Sequence, residues 1–206
     1  MHRLKTIARL ASIPILVLFI IAVSSCGQGK TKQTEAPSPS TSGTAAAASG
    51  ADAPSPDTVK ELGPRDAMAI ANQWGTTEKR VTSHVTSQAV VFEFDSGKKS
   101  SIPMLDAKMV VAFAPYVSRT HPCENHYMSG CQGELVDIPI KVHGVASDGT
   151  VVVDDTYATM KNGFFELWLP RDMEITFTME GLGKRAVGVI STAKNSNTCI
   201  TTMQLL

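Results

Sequence analysis

Between His121 and Cys131 the chain reads His-Pro-Cys-Glu-Asn-His-Tyr-Met-Ser-Gly-Cys. Two cysteines, two histidines and a methionine fall in this one stretch. All five side chains can donate to a soft or borderline metal ion. A further thiol, Cys199, lies far off in Asn197-Thr-Cys-Ile-Thr-Thr-Met-Gln-Leu205. The expectation is that folding carries Cys199 to the loop, so that Cys123, Cys131 and Cys199 form one site. Three thiolates in a trigonal arrangement suit Cu(I), because thiolate and thioether donors favour soft ions over hard ones. Zinc is the alternative, and it would need a fourth ligand, which His121 or His126 could supply. Met128 is a further candidate donor, although packing is the more ordinary fate of a methionine. The Cys123–Cys131 spacing matches neither the short spacing of zinc ribbons nor a C-x-x-C redox pair. The case therefore rests on donor density.

The surrounding elements must hold such a site still. Gly130 and Gly133 permit tight turns beside Cys131, and Pro122 stiffens the approach to Cys123. Cys199 alternates with Thr201, Met203 and Leu205 on one mostly apolar face, which points the thiol inward. Upstream, Asp57–Leu62 and then Gly63–Trp74 read as helical: Pro64 suits a first position, Ala67, Ile70, Ala71 and Trp74 form a helical stripe, and Gly75 ends it. From residue 81 the pattern is one of strands. Gln88–Phe94 runs into Asp95-Ser-Gly97, a hairpin turn. Lys108–Ala114 is a second apolar run. Ile138, Ile140 and Val142 alternate with polar residues, leaving His143 on the wet side, and His84 also reads as solvated. Ser147-Asp-Gly149 is a turn. Asn162-Gly163, between Thr156–Met160 and Phe164–Leu169, reads as a hairpin. Ile175, Phe177 and Met179, then Ala186–Thr192 and Thr198–Leu205, complete the pattern of strands. The fold class expected is mainly β: an antiparallel β-sandwich, Ig-like, with a small N-terminal helical or α+β subdomain. Residues 58–107 would be that helix-hairpin subdomain, a candidate dimer interface, and residues 108–206 the metal-binding sandwich.

The N-terminus sets the compartment. Arg3, Lys5 and Arg9 precede an apolar run from Leu10 to Val23, too short to span a bilayer. Val23-Ser-Ser-Cys26-Gly then resembles a lipobox. Residues 1–25 are thus expected to be a lipoprotein signal peptide, with Cys26 lipidated by a fatty-acyl anchor such as palmitate. Residues 26–57 are rich in Gly, Ser, Thr, Ala and Pro and read as a disordered tether. The full chain has 19 basic and 19 acidic residues. Cleavage before Cys26 removes three basic ones and leaves a net charge of −3, which argues against a nucleic-acid partner. The chain has four cysteines. With Cys26 assigned to lipid, the count outside the cell is odd. That means a free thiol, an intermolecular bridge or a metal site.

The segments Tyr116–Leu135, Gly163-Phe-Phe-Glu-Leu-Trp-Leu-Pro-Arg171 and Thr198-Cys-Ile-Thr-Thr-Met-Gln-Leu205 resemble, in that order, the signatures of the CueP-like extracytoplasmic copper-binding proteins. The resemblance implies copper held by Cys123, Cys131 and Cys199. It also implies copper tolerance in the cell envelope and delivery to an exported cuproenzyme such as a superoxide dismutase. Reduction of Cu(II) to Cu(I) at the thiols and dimerisation through the N-terminal part are further implications. The lipobox and long tether set this chain apart from soluble periplasmic members. The reading is a binding protein more than an enzyme: no Gly-x-Ser-x-Gly, His-Glu-x-x-His or phosphate-binding glycine loop is present. The rival from another class is an Ig-like adhesive or structural lipoprotein with one disulfide among the three cysteines and one idle thiol.

Overall fold

The computed structural model describes residues 55–206. The signal peptide, Cys26 and nearly all of the tether lie outside the described residues.

Two helices open the described chain. Helix α1, Pro56–Val59, is capped by Ser55, whose hydroxyl accepts the Thr58 N–H, so its first residues fall within the segment assigned to the tether. Helix α2, Pro64–Trp74, buries Ala67, Met68 and Ala71 and ends at Gly75, whose φ of +42° suits glycine. Trp74 sets its ring edge on Phe92, with centroids 5.8 Å apart. Arg65 lies 4.4 Å above the Trp168 ring. The expected stripe thus faces the protein.

The described residues form ten strands: β1 Val81–Val85, β2 Ala89–Phe94, β3 Lys99–Pro103, β4 Lys108–Phe113, β5 Pro139–Ala146, β6 Val151–Ala158, β7 Phe165–Pro170, β8 Glu174–Gly181, β9 Lys184–Ser191 and β10 Cys199–Ile200. The protein is mainly β, as expected, with the strands spread over three sheets. Their orders are β1-β2-β3, β10-β4-β7 and β6-β5-β8-β9. All pairings are antiparallel except β10 with β4. The alternation that named these strands is visible in their burial: Val90, Phe92 and Phe94 of β2, Ile140 and Val142 of β5, and Ile175, Phe177 and Met179 of β8 all point into the core. One continuous apolar cluster joins Val59 of α1 and Ala67 of α2 to Leu205 near the C-terminus.

The Asn162-Gly163 hairpin is corrected. The turn does close, with Gly163 N–H donating to Met160 and Met160 N–H to Phe164. The flanking strands part company, however: β6 pairs with β5 and β7 with β4. A turn signal fixes the local bend but not the strand's partner, and here two sheets compete for the two strands. The turn instead meets the segment just after Cys131, because Gly133 N–H donates to Asn162 O at 2.7 Å. A Cβ on Gly133 would sit 2.5 Å from Gly163 O, so this backbone contact requires glycine.

Candidate metal centre

Backbone hydrogen bonds position the loop from several sides. Val85 N–H, at the end of β1, donates to His126 O at 2.8 Å. The amides of Thr198 and Cys199 both donate to Glu124 O, at 2.9 and 3.1 Å. Thr198, wholly buried, accepts the His126 N–H at 3.2 Å on its hydroxyl and donates that hydroxyl to Val85 O. Ser129 bonds both backbone groups of Ser83. On the approach to the loop, one oxygen of Glu134 accepts three consecutive N–H groups, from Val117, Ser118 and Arg119. Thr120 ties the same segment to Thr201 O at 2.6 Å.

These ties bring the predicted donors together. His121, Cys123, Cys131 and Cys199 each offer a ligand atom, and the four atoms lie within 4.8 Å of one another. Cys123 and Cys131 are free thiols with sulfurs 3.4 Å apart, and Cys199 is also free. Three sulfurs around one ion at a zinc-like 2.3 Å would be spaced about 4.0 Å apart; the 3.4 Å pair is closer than that, yet well beyond the ~2.05 Å of a covalent bridge. Cys199 and Cys131 are buried with Ala112, Ala114 and Phe164, and Cys123 and Met160 pack against this group. An open cleft of about 670 Å³ reaches the site from the side of His121, Cys123 and Tyr127.

The thiols are not equivalent. Cys131 is pulled down to about 3, first because Cys199 donates to it, with the Tyr127 N–H at 3.4 Å helping against burial. Cys123 is pushed up to about 11, chiefly by burial, and its thiol donates to Asn125 O. Cys199 is driven far up by its neighbour Cys131 and by burial. Within the trio, Cys131 carries the charge and the other two carry protons.

The other candidates divide. His126 stands outside the four-donor set yet is wholly buried, with its ring 4.4 Å from that of Phe164. Met128 is buried in the main core. His143 is part-exposed beside Asp154, in keeping with its wet-side reading. His84 is corrected: its ring stacks on Tyr127 at 4.7 Å, its Nδ1 is buried without a partner, and burial lowers its pKa. Sequence reasoning missed Thr198, Glu134 and Glu166. Only Glu166 left a signal, as an acid inside the apolar run Phe164–Leu169.

The sequence model of the family described as "Periplasmic copper-binding protein CueP" matches residues 68–204. The chain belongs to the CueP family. A crystal structure of S.CueP is similar, with 36% identity and a TM-score of 0.61 over 68% of this chain and 88% of that one. No curated protein sequence matches. The CueP family is periplasmic and copper-binding, so this chain is placed outside the cytoplasm and its cysteine and histidine cluster is fit to hold a metal.

Proposed function

We propose that this protein is a lipid-anchored envelope protein, tethered through Cys26, that captures Cu(I) on the thiolates of Cys123, Cys131 and Cys199. The observation that carries the reading is the convergence of three sulfurs from two distant parts of the chain, with His121 beside them, within 4.8 Å. Soft donors at that spacing fit copper as cargo. Capture would provide copper tolerance, and cargo could pass to an exported superoxide dismutase or another cuproenzyme. Dimerisation through residues 58–107 belongs to the same proposal. Where Cu(II) arrives, Cys123 and Cys131 could each give one electron and close a disulfide, reducing two ions to Cu(I). The decisive experiment is titration of reduced protein with Cu(I) against a chromogenic chelator. One tight ion per chain is expected, and serine at Cys123, Cys131 or Cys199 should each weaken binding by orders of magnitude. Three serine variants that bind like the parent would end the proposal.

The second reading, a Cys3His zinc site, is favoured by the placement of His121 within the donor set. It predicts that H121A loses zinc binding while Cu(I) affinity changes little. The adhesive reading with one structural bridge is disfavoured by three free thiols.

A further inference from the structure

His126 is an anomaly of packing. Its ring is wholly buried, and neither nitrogen has a hydrogen-bond partner. Leaving a buried polar group unpaired costs about 1–3 kcal/mol, so the position asks for a reason. Nε2 faces Oε1 of Glu166 at 3.8 Å. Glu166 lies on β7, inside an otherwise apolar strand, and its side chain is only 13% exposed. The same oxygen already accepts the side-chain N–H of Asn72, from α2, at 2.9 Å. An oxygen engaged that way presents a lone pair to the ring and no proton. On its other flank the ring packs on Phe164, which belongs to the buried group around Cys131 and Cys199.

We propose that Glu166 is a positioning residue of the metal centre: fixed by Asn72, its Oε1 selects the Nε2–H tautomer of His126 and so orients the ring of the loop that carries Cys123 and Cys131. The purpose of the device rests on the copper reading above, while its geometry stands by itself. A carboxylate behind an imidazole is a common way to orient a ring at a metal site, and losing such a partner typically weakens metal affinity ~10–100-fold. At 3.8 Å the contact is longer than a hydrogen bond, and a ring shift of about 0.8 Å would close it. The arrangement also ties helix α2 to the loop through side chains alone.

The test uses the reduced full-length protein labelled with ¹⁵N-histidine. In the metal-free parent, nitrogen chemical shifts of His126 are expected to report the Nε2–H tautomer. E166Q keeps an acceptor oxygen and should keep that tautomer. E166L removes it and should give a mixed or reversed tautomer, with Cu(I) affinity lowered ~10–100-fold. N72A should shift the tautomer population in the same direction by less, and it decides the matter if E166L fails to fold. An Nδ1–H tautomer in the parent, or parent-like tautomer and affinity in both E166L and N72A, overturns the proposal. A parent that binds no Cu(I) sinks the copper reading instead, because the tautomer is measured without metal.

Discussion

Replacing Thr198 with valine probes the splint that joins three parts of the site. The change keeps the shape of the side chain but exchanges a hydroxyl for a methyl group. That hydroxyl is the acceptor for His126 N–H and a donor to Val85 O, and the residue is fully buried. Water cannot replace either bond without opening the packing. Each buried group left unpaired costs about 1–3 kcal/mol, and the extra apolar contact of a methyl returns about 0.8 kcal/mol. The net loss expected for T198V is therefore about 1–5 kcal/mol. T198S keeps the hydroxyl and loses only a methyl, for about 1 kcal/mol with its small cavity. A domain of ordinary stability, about 5–15 kcal/mol, remains folded in both cases. Urea unfolding of the reduced metal-free protein measures the difference as a shift in midpoint at constant slope. The same splint fixes the loop against Cys199, so T198V should also lower Cu(I) affinity at least ~10-fold through lost preorganisation. If T198V and T198S agree within about 0.5 kcal/mol, which is the range of changes away from such features, the hydroxyl does not hold the loop and the reasoning fails.

Two further predictions follow from the titrating groups. Ordinary thiols would all be protonated near neutrality, and three of them binding one ion would release close to three protons. With Cys131 already ionised and Cys123 and Cys199 held up, release should be close to two protons per Cu(I) at pH 7, read by calorimetry in buffers of different ionisation enthalpy; a value of three refutes the assigned asymmetry. Glu134 is held below the usual carboxylate range, first by the Ser118 N–H and then by Val117 and Arg119. A depressed folded-state pKa adds stability that is full above the unfolded value of about 4.3 and is lost as pH falls through the folded value. E134Q should accordingly be less stable than the parent near neutrality and converge with it in acid, and parallel stability curves across that range would rule the clamp out.

Features set by near neighbours along the chain are legible in the sequence itself. The stripe of α2, the Gly97 and Gly149 turns and the inward face of Cys199, Thr201, Met203 and Leu205 all stand where the pattern puts them. Periodicity reports which side of an element is buried, and it does so without knowledge of the partner. Strand partnership is different. Nothing in Thr198–Leu205 announces that only Cys199–Ile200 enters a sheet, or that it lies parallel to β4. Asn162-Gly163 misleads for the same reason, since its backbone contact is with Gly133. At the site, the donors stand out because thiols and imidazoles are rare and conspicuous. Thr198, Glu134 and Asn72 act by single hydrogen bonds to distant groups, and such bonds leave no period to detect.

On the copper proposal, the depth of the three sulfurs would set an order of capture. Cys199 is 2% exposed and Cys131 9%, while Cys123 is only part-buried; Cys123 and Cys131 line the open cleft with His121, and Cys199 does not. An ion entering through that cleft would meet His121, Cys123 and Cys131 before Cys199. Of these, Cys131 is the thiol whose pKa is pulled down, so it would offer a cation the strongest attraction. Cys199 would give up its proton last, from a sulfur whose neighbours hold it most firmly in the thiol form. The loop is stapled to β1 and to the segment around Cys199, so on this proposal affinity would come without much ordering on binding.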